Sequence, residues 1–314
     1  MRSYDHPDLP TSSRTATARR PALSVVIAAV NGYQPLAGCL RAIERIPERS
    51  LAEVIVVDRC NVGARIKAEF PDTAILLVSP ELTIPEMRSL GIRASKGDWV
   101  IVTEDHCEPR HDWFSRFLAA AETGPWDVIA GAVENGKRDR LVDWAAFFTE
   151  YSEYMAPRPS GENADLPGMN TAYRRAALDG VPGLVEASLW ETFLHARLRE
   201  AGCRLYAASD VLLDHCKSFG YGEFLSQRFY LARSFAGMRV RNAPLLKKLA
   251  YGLASPLLFV ILPYRTVSRI WRKGRHRREL LFATPILISF FASWAAGEFA
   301  GYLFGEGDAS SKVE

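Results

Sequence analysis

The sequence predicts an α/β domain built on a doubly wound parallel sheet, followed by membrane-associated helices. Short, nearly continuous apolar runs (22–30, 54–57, 74–78 and 99–102) alternate with stretches of helical spacing. Runs apolar on both faces suit strands buried between two helix layers. Acids recur at the carboxyl ends of these runs, as Asp58 and as Glu104-Asp105-His106, and open sheets of this kind bind ligands beyond those ends. Charge is also segregated: residues 1–238 carry net -4, residues 239–279 net +10, and residues 280–314 net -3.

Taken in order, Ala22–Val30 is the first strand, ended by Asn31-Gly32, and residues 35–46 repeat at helical spacing. Val54–Asp58 is a second strand, 61–70 a helix, Ala74–Val78 a third strand and 84–95 a helix ended by Lys96-Gly97. Trp99–Thr103 is the fourth strand. A strand near 127–132, a helix near 141–155, a polar loop over 156–167 and a helix near 171–178 follow. Helices near 188–201 and 221–236 flank a strand at about 204–213. Residues 1–20 mix Arg, Ser, Thr and Pro without an apolar core, which predicts a disordered tail rather than a signal peptide. The expected organisation is a tail over 1–20, an α/β domain over 21–238 and a basic, membrane-associated region over 239–314.

Composition excludes several classes. At 314 residues the chain is long enough to bury a core without staples. Five widely spaced cysteines with no CxxC pair argue against a disulfide framework or zinc ribbon. A net charge of +3 over the whole chain gives no footprint for nucleic acid. No GxGxxG follows the first strand and no GxxxxGK[ST] is present, which disfavours a dinucleotide cofactor and a P-loop.

The densest chemistry is Glu104-Asp105-His106-Cys107-Glu108, three acids and a histidine directly after a buried strand. Carboxylates serve hard divalent cations, and neutral imidazole also serves Mn²⁺-like ions. A polar loop of solvated acids is the plain alternative. Trp144, Phe147, Phe148, Tyr151 and Tyr154 recur at helical spacing, as a core stripe or as an apolar wall on the acceptor side.

These segments together resemble the inverting glycosyltransferases of family 2, which have the Rossmann-like GT-A fold. The resemblance runs over about 21–236. Ser24-Val25-Val26-Ile27 is similar to the family's opening strand and Val56-Val57-Asp58 to the strand whose acid contacts the donor's base. Met87-Arg88-Ser89-Leu90-Gly91, running on to Lys96-Gly97-Asp98, resembles "ARNxGxxxAxGD". Glu104-Asp105-His106 stands where the family has its metal-binding DxD. Gly168-Met169-Asn170-Thr171-Ala172-Tyr173-Arg174-Arg175 resembles "GxNxAxRR", and Trp190-Glu191 before Arg197-Leu198 and Gly202 resembles "ED…RLxxxG".

The resemblance implies a nucleotide-diphospho-sugar donor, a hydroxyl acceptor and a divalent metal, Mn²⁺ or Mg²⁺. Glu191 becomes the catalytic base. Ala28, Asp58, Arg88, Glu104, Asp105, Gln227 and Arg228 become donor contacts; Gly168, Asn170 and Trp190 lie on the acceptor side. Glu104, His106 and His215 become metal ligands, with Asp105 replacing His106 if the register slips by one. An ExH set favours Mn²⁺, because imidazole is a poor ligand for Mg²⁺. Gln227-Arg228 lies in a remnant of the QxxRW box that lacks its Arg-Trp, which argues against a polymerising enzyme.

Residues 280–304 are apolar with one charge, Glu298, and 249–264 are apolar but short. The longer segment reaches the roughly 20 residues a span needs. If both crossed, the basic residues between them would face away from cytoplasmic nucleotide sugars. An interfacial or re-entrant 249–264, with 280–304 spanning or lying in plane, keeps them on the cytoplasmic side. The sequence therefore predicts a glycosyltransferase on the cytoplasmic side of the cell membrane, acting on a lipid or lipid-linked saccharide in envelope polysaccharide or glycolipid synthesis. A catalytically degenerate nucleotide-binding or scaffold protein is the alternative.

Overall fold

A computed structural model describes residues 21–313; the tail expected over 1–20 lies outside the described residues. The first half alternates β1 (Leu23–Ala29), α1 (Tyr33–Glu44), β2 (Ala52–Asp58), α2 (Gly63–Glu69), β3 (Ala74–Leu77), α3 (Ile84–Ala94) and β4 (Trp99–Glu104). Strands β1 to β4 pair in parallel, as their two-sided apolar patterns predict. Val25, Ile27 and Ala29 enter one apolar cluster with Leu36, Leu40 and Ile43 of α1. Val26 and Ala28 enter clusters on the opposite face. That alternation explains why nearly every residue of β1 is apolar, each buried branched side chain contributing about 1.5–3 kcal/mol.

The second half adds β5 (Cys107–Pro109), α4 (Trp113–Glu122), β6 (Val128–Asn135), α5 (Leu141–Tyr151), β7 (Gly161–Glu162) and β8 (Thr171–Arg174). Then come α6 (Arg175–Asp179), α7 (Glu191–Glu200), β9 (Leu205–His215) and α8 (Tyr221–Arg239). The sheet order is β3-β2-β1-β4-β8-β6-β9-β5, with β7 on β9. The sheet is mixed, which corrects the all-parallel expectation: β8 runs antiparallel to both β4 and β6, and β5 antiparallel to β9.

Residues 171–174 are strand β8 rather than the start of a helix. Thr171, Ala172 and Tyr173 fill the gap between β4 and β6 and are buried there; the sheet contacts outweigh local helical propensity. The helix expected from 188 begins at Glu191, because Ser188 sits at positive φ (46°) and Trp190 is extended. The helix from 141 stops at Tyr151, and β9 runs on to His215, past the expected end at 213.

Beyond α8 the chain forms α9 (Leu245–Ala254), α10 (Leu258–Lys273) and α11 (Arg277–Phe304). The stretch Leu245–Lys273 and α11 are both long and apolar enough to cross a membrane. Helix α11 packs along α8 and against α5, so the tail sits directly on the sheet-bearing domain.

Candidate active site

The carboxyl ends of β1 and β4 meet at Asp105. Its side chain is fully buried and accepts hydrogen bonds from the amides of Val30 and Asn31, both at 2.7 Å, and from Asn31 Nδ2 at 2.7 Å. Asp105 thus ties the β1 loop down and points away from the cavity beyond the strand ends. Glu104 and His106 line that cavity and Asp105 does not.

His106 Nδ1 lies 2.9 Å from Asp105 Oδ1. Its Nε2 lies 3.2 Å from Glu104 Oε2 and 3.0 Å from Nε2 of His215. His215 comes from the end of β9, where register pairing sets it against Cys107 of β5. Tyr151 and Phe219 flank its ring, with centroids 4.8 and 6.5 Å away. One ligand atom from each of Glu104, His106 and His215 falls within 4.8 Å of the others. Burial opposes charge on His106, but Asp105 and Glu104 outweigh it and raise its pKa to about 9. Burial and the neighbouring His106 hold His215 well below the ordinary histidine value. Burial likewise opposes charge on Glu104, and His106 with Arg88 reverses the balance and lowers its pKa. One carboxylate and two imidazoles converge, one imidazole braced on its far nitrogen by a carboxylate. This donor set fits a divalent cation of the Mn²⁺ type.

Arg88 joins this cluster to α7. It projects from α3, whose start is fixed by a Thr83–Glu86 capping box. Its Nη2 donates to Glu104 Oε1 and its Nη1 to Glu191 Oε2, both at 2.9 Å. Arg88 is 7% exposed, and its Nε has no hydrogen-bond partner. Glu191 is the first residue of α7, where the helix dipole favours an anion. Gly168 lies against it: a Cβ there would come within 2.2 Å of the Glu191 carboxyl carbon. A side chain at position 168 would therefore displace the Glu191 carboxylate from its place beside Arg88.

A cavity of about 300 Å³ opens over these groups. Of the residues singled out from sequence, Ala28, Arg88, Glu104, His106, Gly168, Trp190, Glu191, His215, Gln227 and Arg228 line it. Asp58, Asp105 and Asn170 do not. Asp58 is fully buried and accepts the amides of Cys60, Val62 and Gly63 at 2.7–2.8 Å. Asn170 is likewise buried, donating to the carbonyls of Ala132 and Val211 and accepting from Trp113 Nε1. All three brace the backbone beneath the site.

Sequence reasoning missed several wall residues. Glu150 pairs with Arg228, whose guanidinium lies 4.4 Å from the Phe224 ring centre and 5.9 Å from that of Trp294. Arg228 also keeps a buried Nε without a partner, and burial raises the pKa of Glu150. The aromatic stripe divides: Trp144, Phe147 and Phe148 are core, while Tyr151 and Tyr154 reach the cavity. Phe235, Trp294 and Val313 complete the wall from α8 and the tail. No motif marks those three; only the docking of the tail brings two of them in.

The family model of glycosyl transferase family 2 matches residues 24–181, half of the chain. Among solved structures, the chain is similar to the mannosyltransferase PcManGT from Pyrobaculum calidifontis in complex with GDP-Man and Mn²⁺. The identity is 16%, the alignment covers 90% of this chain and 88% of that one, and the TM-score is 0.56. It is also similar to S. aureus TarS 1–349 in complex with UDP, at 13% identity, 88% and 90% coverage and a TM-score of 0.49. No curated protein sequence matches the chain. The fold is that of PcManGT, its strand ends carry the clustered acids and histidines, and the family match spans that half of the sheet. The protein is a glycosyltransferase, and the chain belongs to glycosyl transferase family 2.

Proposed function

We propose that this glycosyltransferase takes a sugar from a nucleotide-diphospho-sugar and passes it, by one in-line displacement with inversion, to a hydroxyl of a lipid or lipid-linked saccharide at the cytoplasmic face of a membrane. One observation carries the reading: Arg88 bonds at once to Glu104 of the metal-type cluster and to Glu191 on α7, inside a single cavity. The leaving-group end and the proton-accepting end of a transfer are then held at a set distance by one guanidinium.

In this mechanism Glu191 accepts the proton of the attacking hydroxyl. Ala28 and the loop braced by Asp58 place the nucleoside. Arg88 and Arg228 face the diphosphate; each has a buried, unpartnered Nε, a state costing about 1–3 kcal/mol that an anion would relieve. Glu104, His106 and His215 would hold a divalent cation, which when bound neutralises charge on the departing diphosphate. The donor set favours Mn²⁺ over Mg²⁺, and the fold neighbour PcManGT was captured with GDP-Man and Mn²⁺. The apolar helices supply the membrane association, and the acceptor class follows from that location.

Calorimetric titration with UDP-, GDP- and dTDP-sugars, each with Mn²⁺, Mg²⁺ or EDTA, tests the reading. The expected result is metal-dependent binding of one donor, lost in His106→Ala. Binding that ignores both the metal and that substitution would sink the assigned cluster.

A further inference from the structure

We infer that neither apolar helix crosses the bilayer: Leu245–Lys273 and α11 lie flat as an in-plane platform on an anionic membrane surface. This rests on the proposed membrane association and fixes its geometry. Helix α11 has 28 residues, a length of about 42 Å at 1.5 Å per residue, enough to span. Yet both of its ends are fastened to the same catalytic domain.

At the amino end, Arg275 in the turn before α11 makes a bidentate pair with Glu134 of β6, at 2.7 and 3.0 Å. Beside it, Lys273 donates to the Glu153 carbonyl at 3.0 Å and Arg269 to Ser152 Oγ at 3.1 Å. At the carboxyl end, Arg233 of α8 donates to the Gly305 carbonyl at 3.2 Å, and Arg239 bonds to Tyr302. Between the ends the two backbones are in contact. A Cβ at Gly297 would lie 2.3 Å from the Phe229 carbonyl oxygen, and one at Gly301 2.4 Å from that of Arg233. The middle is also tied by Ser293 Oγ to the Leu225 carbonyl at 2.6 Å. A hairpin that crossed would carry its basic turn about 30 Å from the domain to which that turn is bonded.

The outward face has the chemistry of a lipid-facing surface. Leu246, Leu249, Leu253, Leu257, Val260 and Tyr264 are exposed at intervals of three and four, one stripe of a helix. On α11, Leu281, Ile288 and Phe299 are exposed along one line. Lys247, Arg265, Arg272, Arg277 and Arg278 are exposed among them, the pattern of a basic amphipathic helix on anionic lipid. Trp294 of the same α11 lines the catalytic cavity, so a flat platform presents the cavity wall at the lipid surface, where the polar end of a lipid acceptor resides.

The test is sidedness in membranes from cells producing the full chain. Arg278→Cys in the first turn of α11, next to the basic turn, and Glu81→Cys on the catalytic domain are labelled with an impermeant maleimide, in sealed vesicles of each orientation, and read by mass spectrometry. Labelling of both positions from the same side is expected; labelling from opposite sides overturns the in-plane geometry. A protein absent from the membrane pellet refutes the underlying membrane association instead. Leu253→Asp, at a 77% exposed position, is expected to lower the membrane-bound fraction at least tenfold, with donor binding unchanged. Unaltered partitioning would overturn the assigned face.

Discussion

The two walls of the cavity are built on opposite principles. On the sheet side, Arg88, Glu104, His106 and Glu191 are charged, buried or half-buried, and bonded to one another at 2.9–3.2 Å. On the tail side, Leu231, Phe235, Trp294 and Val313 are apolar or aromatic and come from helices and the end of the chain. The sheet-side wall has its charges held by partners from three elements, as preorganised electrostatic catalysis requires. These four tail-side residues offer shape and dryness but no group that could take a proton. Chemistry should therefore be lost by changes on the first wall and access altered by changes on the second.

The largest expected effect is at Glu191. Glu191→Gln keeps the shape and a hydrogen bond to Arg88 but removes the carboxylate proposed as the base, so kcat should fall about 10²–10⁴-fold, the usual worth of general base catalysis. Donor affinity measured by calorimetry should stay within a few-fold. A variant retaining more than a tenth of the wild-type kcat would move the base elsewhere on this wall.

A second expectation concerns what lies behind that wall. Tyr173 Oη and His195 Nε2 are 2.9 Å apart and both buried. Burial, with Arg88 adding to it, lowers the His195 pKa from 6.5 to about 4. His195 folds neutral while the unfolded chain protonates near 6.5, so the unfolded state binds the extra proton as pH falls. Stability from this group is present above about 6.5 and lost progressively towards pH 4, on the order of 3 kcal/mol at most. Urea midpoints at pH 7, 5.5 and 4.5 should show a steeper decline in the wild type than in His195→Gln. Parallel declines would mean that the site is wetter than its geometry indicates.

Asp105 sets the next step down in size. Asp105→Asn leaves the metal-type ligands in place but weakens the brace on His106 Nδ1, and Mn²⁺ affinity should drop about 10–100-fold, as for other outer carboxylates. Titration of Mn²⁺ into the variant measures this directly. An unchanged affinity would show that the Val30 and Asn31 amides, rather than His106, are what Asp105 serves.

How far these walls could be read from sequence differs in the same way. Strands β1, β2 and β4 announce themselves, because burial on both faces demands an unbroken apolar run. The acids that follow then mark the site. Strand β8 does not: Thr171-Ala172-Tyr173-Arg174 is four residues long, runs straight into Arg175-Ala176-Ala177-Leu178, and is a strand only because β4 and β6 lie on either side. Strand β5 has three residues, one of them proline. Asp58, Asp105 and Asn170 were legible as special positions, but their type could not tell a ligand contact from a brace. The tail-side wall was unreadable for a third reason. Trp294 and Val313 reach the cavity through contacts between positions far apart in the chain, such as Arg275 with Glu134, and local periodicity holds no trace of that.

The smallest expected effect is on the tail-side wall. Trp294→Ala removes a ring 5.9 Å from the Arg228 guanidinium and a hydrogen bond from its Nε1 to Glu298 at 2.9 Å. None of the groups holding the metal-type cluster or Glu191 changes, so donor affinity should fall by no more than the worth of the ring's contact with Arg228. The cation–π contact itself carries only about 0.5–2 kcal/mol. KM for a lipid-linked acceptor should rise several-fold while kcat at saturating acceptor changes less, the signature of lost uniform binding. A drop in kcat without a rise in KM would place Trp294 among the groups acting in the transition state, and the division between a chemical wall and an access wall would fail at that residue.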